Sequence, residues 1–298
     1  MKNRIAFTAL LAVAMIYGLI DVLLRFVGNE NYFSVVFFIF LFSTILLSPI
    51  IKLGKQSGEA RPMKGLRLIV PLGFFQAATW LLLYFAVMNT SIANAVFGYM
   101  TTPIFVIVLS PFLLKECVNK HTAMALVLAL LGVVMVFDPR RLMQYIAPIG
   151  IVSGILSGFS YAMVEILQRK LKDRYDPFSL TFLGKSAGLL IIFPSFLLNG
   201  ATVPGVTSTM IILLLGLAAI SGGILSCYAL KQVPAQSASI ILLLEPFISI
   251  VAALMIFFEI PSLSTILGAT LLLTADIIII RNQPEQASMR ERNVKRIY

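Results

Sequence analysis

The sequence predicts an all-α membrane protein in which ten transmembrane helices form two inverted five-helix repeats. Composition, the length of the apolar runs and an internal repeat lead to this prediction. Of the 298 residues, 59% are hydrophobic and only 12% are charged, whereas soluble domains are about half apolar and a quarter charged. A soluble fold of this size buries only about three quarters of its unfolded surface. Most of the chain is therefore predicted to lie in a membrane.

Ten apolar runs approach or reach the roughly 20 residues that a helix needs to cross a bilayer. In chain order the predicted spans are Ile5–Val27, Tyr32–Leu53, Leu66–Met88, Ile92–Leu114, Thr122–Phe137, Ala147–Gln168, Pro177–Leu198, Ser208–Leu230, Ala235–Phe258 and Ser264–Ile280. The fifth and tenth are the shortest. The first run resembles a signal peptide, but it is long enough to span and lacks a small-residue cleavage site, so we interpret it as the first helix.

Lys and Arg are distributed unevenly between the loops. With the N-terminus in the cytoplasm, nearly all of them fall on that side, and the opposite side holds only Arg140 and Arg141. This bias predicts a multi-pass protein of a bacterial plasma (inner) membrane with both termini in the cytoplasm. It also accounts for the net charge of +10 without nucleic-acid binding. Cys117, Cys227 and His121 are too few for a usual zinc site, and we predict no metal and no cofactor.

The two halves of the chain resemble each other. A shift of 144 residues superimposes Tyr17-x3-Asp21-x3-Arg25 on Tyr161-x3-Glu165-x3-Arg169. After a deletion near Ser91 the shift becomes 143, and it pairs Ala95 with Ala238, Pro103 with Pro246 and Glu116 with Glu259. Because five spans is an odd number, the second copy enters the membrane from the opposite side. We therefore divide the chain into residues 1–140, residues 141–281 and a basic cytoplasmic tail, 282–298.

Several short motifs recur at equivalent places in both halves. The first half holds Tyr84-Phe85-Ala86, Thr90-Ser91-Ile92-Ala93-Asn94-Ala95, Thr102-Pro103-Ile104-Phe105 and Leu114-Lys115-Glu116. The second holds Tyr228-Ala229-Leu230, Pro234-Ala235-Gln236-Ser237-Ala238, Glu245-Pro246-Phe247 and Phe258-Glu259. The whole chain thereby resembles the EamA-type proteins of the drug/metabolite transporter superfamily. The resemblance implies that spans one to four and six to nine surround a central cavity, with five and ten at the periphery. Phe258-Glu259 is a degenerate form of the family's motif before the tenth span.

Two ionisable residues lie near the predicted midplane, where charge is costly and usually functional. Lys185 is in the seventh span and Glu245 in the ninth. Together they are candidates to bind the carboxylate and ammonium of a zwitterion, but they are equally able to pair with each other, and Lys185 has a purely structural interpretation. Pro103 and Pro246 predict helix kinks that free carbonyls such as that of Tyr99 for a substrate, or kinks that only shape the packing.

Two acid–base pairs sit one helical turn apart at opposite ends of the membrane: Asp21 with Arg25 in the first span, and Glu165 with Arg169 in the sixth. Residues at i and i+4 share a helix face, so each pair is able simply to neutralise itself. Their symmetric placement suggests a sharper hypothesis, in which they form an outer and an inner gate or carry a coupling proton.

An aromatic stripe follows one face of the third span at i, i+4 and i+8: Gln76, Trp80 and Tyr84. Such a stripe either packs or lines a cavity. Trp80 is the only tryptophan and lies deep, which favours the cavity; the family layout implies Asn94, Tyr99 and Tyr228 as its neighbours. In the sixth span Gly150, Gly154 and Gly158 recur every fourth residue and predict close helix packing.

These observations predict a secondary transporter that works by alternating access. The expected substrate is an amino acid or similar small zwitterion, moved outward. Organic cations, drugs, and phosphorylated or nucleotide-linked metabolites are alternatives, and a non-transporting membrane assembly subunit is an alternative of another class. The sequence holds no catalytic triad and no paired metal ligands, so we expect no enzyme. The expected partners are the substrate, the lipid bilayer and a coupling proton, with no nucleic acid, and the chain is expected to act as a monomer.

Overall fold

The computed structural model describes residues 2–28, 30–54, 65–89, 92–116, 118–136, 148–245, 248 and 263–281. Within these residues the regular elements are all helical. They are α1 (Lys2–Val27), α2 (Tyr32–Gly54), α3 (Leu66–Asn89), α4 (Ile92–Tyr99), α5 (Thr102–Leu113), α6 (Lys120–Val136), α7 (Pro148–Leu171), α8 (Pro177–Leu198), α9 (Val206–Gln232), α10 (Ala235–Ile241), a 3₁₀ turn (Leu242–Leu244) and α11 (Leu263–Arg281). The predicted all-α class is confirmed.

The helices match the predicted spans in position. Among the described residues, five helices are long and apolar enough to cross a membrane, at Tyr32–Ile50, Arg67–Asn89, Ile149–Leu171, Pro177–Leu198 and Val206–Gln232. Shorter apolar helices of 10–17 residues occupy the other five positions, at Arg4–Ile20, Thr102–Leu113, Lys120–Met135, Ala235–Leu244 and Ile266–Ile279. Side chains such as Leu190, Met210 and Leu214 are exposed on the outside of the bundle, as expected of a surface in contact with lipid.

Helices of the first half pack mainly against helices of the second half. The pairs α1 with α9, α3 with α7, and α2 with α8 all cross between the halves. The short helices α6 and α11, which correspond to the fifth and tenth spans, pack against each other. The protein core therefore lies at the interface of the two repeats, where both copies contribute side chains.

Two spans are interrupted near their middle. The predicted fourth span is divided into α4 and α5 by a turn at Met100 and Thr101, just before Pro103. In the ninth span α10 tightens into the 3₁₀ turn Leu242–Leu244, two residues before Pro246, which lies outside the described residues. The break in the fourth span lies where Pro103 predicts a kink, because proline removes a backbone donor and its ring crowds the preceding turn.

The α4–α7 crossing depends on the predicted glycines. A Cβ atom added at Gly154 would lie 2.6 Å from the carbonyl oxygen of Ala95, and one at Gly158 would lie 2.7 Å from that of Tyr99. On the other helix, a Cβ at Gly98 would lie 2.9 Å from the backbone nitrogen of Ile155. The two backbones therefore approach more closely than any larger residue permits, as small residues allow in membrane helices.

We call the end of the bundle where α1 begins and α7 ends the basic end, and the opposite end the far end. At the basic end Asp176 caps α8, since its carboxylate accepts hydrogen bonds from the backbone N–H groups of Phe178 and Ser179, both at 3.0 Å. Partial burial opposes ionisation of this carboxyl, but the hydrogen bonds from Ser179 and Phe178 outweigh it and lower its pKa. The cap fixes the start of α8, which contributes Lys185 to the interior.

Candidate functional site

A cavity lies at mid-height in the bundle, between the two repeats. Its volume is about 60 Å³, well below the roughly 300–1,000 Å³ of most small-ligand pockets. The lining residues come from both halves: Tyr17, Ile20, Thr79, Trp80, Leu83, Tyr99, Tyr161, Lys185, Ala219 and Glu245. We call this space the central cavity.

Lys185 is the cation of the central cavity. Its side chain is only 4% exposed, and its ammonium lies 4.6 Å from the centre of the Phe40 ring and 5.6 Å from that of Trp80. Both distances are within the range of cation–π attraction. Glu245, also buried, lines the same cavity. The sequence leaves open whether these two residues bind a substrate or pair with each other; in the structure both face the same cavity.

Three tyrosines surround the lower part of the cavity. Tyr17 and Tyr161, which the repeat superimposes, meet edge to face with ring centres 6.2 Å apart. The centre of the Tyr99 ring lies 5.5 Å from that of the Tyr161 ring. Tyr99, Tyr161 and Glu245 also line a second, smaller space toward the basic end, which we call the lower cavity. These three residues therefore form the partition between the two cavities.

The break between α4 and α5 is stabilised by threonines. The hydroxyl of Thr101 donates to the carbonyl of Gly98 at 2.7 Å. Thr102 Oγ1 lies 2.7 Å from the carbonyl oxygen of Tyr99 and 3.1 Å from that of Gly158. The sequence-based expectation that the Tyr99 carbonyl is free for a substrate was therefore wrong, because neighbouring side chains satisfy the groups that a proline releases in a membrane helix.

A polar network closes the basic end between the two repeats. The guanidinium of Arg169, at the end of α7, donates to the Glu116 carboxylate at 2.8 Å and also to the Leu230 carbonyl. The other carboxylate oxygen of Glu116 accepts from the backbone N–H of Ala235, at the start of α10, at 3.2 Å. Gln236 donates to the hydroxyl of Ser110 at 2.6 Å. We call this set the basic-end network.

The network corrects one of the predicted pairs. Arg169 binds Glu116, 53 positions away, instead of neutralising Glu165 in its own helix. Both carboxylate oxygens of Glu165 are buried without a hydrogen-bond partner among the described residues. The side chains of Asp21 and Arg25, the equivalent predicted pair, lie outside the described residues.

The other predicted site residues are divided between the cavity and its surroundings. Gln76 is buried beside Gly184 and is not among the residues that line the central cavity. The hydroxyl of Tyr84 donates to the Gly28 carbonyl at 2.6 Å, which gives it a structural position. Tyr228 packs half-buried against the core. The side chain of Asn94 lies outside the described residues.

Sequence reasoning missed several residues of the site. Tyr17, Tyr161 and Thr79 line the central cavity without having been singled out for it, and Glu116 was noted only as a motif residue. The repeat offered a signal for the tyrosines, because residues at equivalent positions meet at the axis between two copies. Among the described residues, no group of three His, Cys, Asp or Glu is placed to hold a metal ion.

Comparison with known proteins decides the family. The model of the EamA-like transporter family matches residues 4–138 and again residues 148–281. The chain belongs to the EamA-like transporter family. This confirms the resemblance carried by the repeated motifs, and a protein of this family is a multi-pass membrane transporter.

Relatives of this EamA-like transporter cover nearly its whole length. An uncharacterized transporter of Archaeoglobus fulgidus is 28% identical over 276 residues, 92% of this chain and 95% of that protein. An S-adenosylmethionine uptake transporter of Rickettsia prowazekii is 26% identical over 280 residues, 91% of this chain and 90% of that protein. A solved crystal structure, 14% identical, has a TM-score of 0.76 over 93% of this chain and 97% of that chain, so the two share a fold.

Proposed function

We propose that the protein transports a small organic zwitterion, most simply an amino acid, by alternating access around the central cavity. One observation carries this proposal. A basic group, the Lys185 ammonium, and an acidic group, the Glu245 carboxyl, line the same buried cavity together with Trp80. A cavity at the interface of two inverted repeats is where secondary transporters hold their substrates.

Lys185 is proposed to bind the substrate carboxylate. In this structure the Lys185 ammonium contacts aromatic faces, which stabilise a desolvated cation less well than a carboxylate does. A substrate carboxylate would therefore add a charge-assisted hydrogen bond that ring faces do not provide. Glu245 and the tyrosines Tyr17 and Tyr99 supply acceptors and ring faces for the substrate ammonium on the other side.

The two ends of the bundle are proposed to open in turn. The basic-end network joins α5, α7, α9 and α10, so its rupture would separate helices of the two repeats and open a path from the lower cavity. Following the distribution of Lys and Arg, we propose that the basic end faces the cytoplasm of a bacterial plasma membrane and that transport runs outward. We further propose that the chain works as a monomer and catalyses no reaction.

A second candidate substrate is favoured by the relatives. Three of them, from Rickettsia prowazekii, Rickettsia felis and Rickettsia bellii, are S-adenosylmethionine uptake transporters that are 25–26% identical over 280 residues. S-adenosylmethionine carries the same amino-acid group plus a sulfonium cation, for which Trp80 offers a ring face. The central cavity is small for this molecule, so its binding requires the cavity to widen.

Proteoliposomes test the proposal directly. Vesicles are loaded with a mixed pool of amino acids, organic cations, phosphorylated metabolites and S-adenosylmethionine, and their contents are followed by mass spectrometry against protein-free vesicles. We expect selective loss of one class of zwitterion. In Lys185→Met the rate falls about tenfold or more, because a hydrogen bond to a charged group contributes about 1.5–3 kcal/mol.

The matched control is Lys120→Met, the same substitution at an exposed lysine on α6, which should transport like the wild type. Equal rates in Lys185→Met and the wild type would remove Lys185 from the binding site. Selective loss of a solute that has no carboxylate would contradict the zwitterion class. Retention of every solute by folded protein would favour a non-transporting assembly subunit.

A further inference from the structure

Glu165 is a buried acid that the proposed substrate site does not use. It lies on α7 with no solvent exposure, and neither of its carboxylate oxygens has a hydrogen-bond partner among the described residues. An ionised carboxylate in such surroundings is strongly disfavoured, because nothing replaces the water it loses. In this structure the carboxyl is therefore best satisfied as the neutral, protonated acid.

The lower cavity gives Glu165 a place to exchange a proton. The centres of water molecules reach about 10 Å³ of this space, roughly what a single water needs. Ser239 Oγ lines the same space and, in the part of the chain that is described, also lacks a partner. The Tyr161 hydroxyl, beside the Tyr17 ring, lines this space as well. A water in the lower cavity would therefore lie among polar groups.

The titratable groups around Glu165 come from several elements. Tyr17 of α1, Tyr99 of α4, Tyr161 of α7 and Glu245 lie close to it. The lower-cavity lining holds no Lys or Arg. The nearest cation along α7 is Arg169, one turn toward the basic end.

Arg169 is thus within reach of two carboxylates. In this structure it binds Glu116, which in turn accepts a hydrogen bond from the start of α10. Residues at i and i+4 share a helix face, so the Arg169 side chain is able to turn back toward Glu165. A neutral Glu165 offers little attraction; an ionised one competes with Glu116 for the same guanidinium.

We propose that Glu165 is a proton-binding site, separate from the substrate site, whose protonation state decides whether Arg169 holds the basic end closed. When Glu165 binds a proton, Arg169 stays with Glu116 and the basic-end network is intact. When the proton leaves to water in the lower cavity, the ionised carboxylate attracts Arg169, Glu116 loses its partner, and α10 is released from α7. The inference rests on the transporter assignment and not on the identity of the substrate.

The native Cys227 reports the state of the basic end without any substrate. Its thiol is 2% exposed on α9, three residues before Leu230, whose carbonyl belongs to the basic-end network. The chain has two cysteines, so Cys117→Ser leaves Cys227 as the single thiol. In lipid nanodiscs, where reagent reaches both ends, the rate of labelling by a maleimide measures how often the basic end opens.

The labelling rate is compared between pH 5 and pH 9 in the Cys117→Ser background with and without Glu165→Gln. Because both proteins carry the same thiol, their ratio at each pH cancels the titration of the thiol itself. We expect the ratio of the acid-bearing protein to Glu165→Gln to rise roughly tenfold from the acidic to the alkaline end, within the range of coupling between protein sites. Glu116→Gln should label rapidly at every pH, since the network is broken.

The matched control is Asp173→Asn, which removes an exposed carboxylate at the same end of the bundle and should keep the pH dependence of the parent. A constant ratio between the parent and Glu165→Gln across the pH range would overturn the proposal. Infrared difference spectra provide a second test that does not require gate motion. The acid-minus-alkaline spectrum should contain a protonated-carboxyl band that Glu165→Gln lacks, and identical spectra would refute proton binding at Glu165.

These outcomes are distinct from those of the substrate assay. Labelling and infrared spectra need no transported molecule, so a failure to find the substrate leaves them unchanged. Conversely, substrate release that depends on Lys185 together with pH-independent labelling would retain the proposed function and remove the proton site.

Discussion

Replacing Gly154 with alanine tests the close α4–α7 crossing on which the site depends. The added Cβ atom would lie 2.6 Å from the Ala95 carbonyl oxygen and 3.3 Å from the Gly98 Cα atom. Ordinary van der Waals contacts begin at 3.4 Å, so the two helices must separate by about 0.8 Å, the difference between 3.4 and 2.6 Å. The obstacle is backbone, which cannot rotate away as a flexible side chain can.

Overpacking of this kind costs about 1–3 kcal/mol. At about 3 °C for each kcal/mol in a chain of this size class, the melting temperature should fall by several degrees. Thermal unfolding of the purified protein in detergent, followed by a thiol-reactive dye, measures the shift. Tyr99 directly follows Gly98 and lines both cavities, so we also expect slower substrate release in the proteoliposome assay.

Gly205→Ala is the matched control. The nearest atom to a Cβ at Gly205 is Glu30 Oε1 at 3.9 Å, and its φ of −58° suits alanine. Gly205 is the N-cap of α9, where alanine is less favourable than glycine, so this variant should lose only a small part of the stability that Gly154→Ala loses. A melting temperature for Gly154→Ala that equals or exceeds that of Gly205→Ala would refute the close packing of α4 on α7.

Three further predictions concern residues outside the central cavity. Glu116→Gln and Arg169→Met should each destabilise the protein by about 3–5 kcal/mol, the cost of breaking a buried pair, and the double variant should lose less than their sum in a double-mutant cycle. Asp176→Ala should cost about 1 kcal/mol through loss of the helix cap. Since hydrogen bonds lower the pKa of this carboxyl, its stabilisation should be complete above the ordinary aspartate pKa and should disappear as pH falls through the folded-state value. Tyr84→Phe should cost about 1 kcal/mol through the lost bond to Gly28 and leave substrate affinity unchanged.

Each of these three predictions would be contradicted by a specific result. Additive losses in the Glu116 and Arg169 cycle would mean that the pair is not coupled. An acid-unfolding profile that Asp176→Ala leaves unchanged would remove the cap from the stability of α8. A change in substrate affinity in Tyr84→Phe would bring Tyr84 into the binding site.

The class, the positions of the spans and the repeat follow from the sequence. Long apolar runs force the backbone to satisfy its hydrogen bonds internally, and only helices do so within one segment. The period of the repeat pairs Tyr17 with Tyr161 and Pro103 with Pro246 in the sequence. The mid-membrane charges Lys185 and Glu245 stand out because charge is rare in such segments. These signals lie in the order of the residues along the chain, so they are recognisable without knowledge of the tertiary structure.

The partners of the charged and polar groups were decided only by tertiary structure. The sequence offers Glu165 as the neighbour of Arg169, yet the fold brings Glu116 to it from 53 positions away and leaves Glu165 buried without a partner among the described residues. Likewise the proline at position 103 predicts a released carbonyl at Tyr99, but the hydroxyl of Thr102 satisfies it. Helical periodicity fixes which residues share a face, whereas the contact between faces depends on how whole helices cross, and that is set by packing at positions such as Gly154.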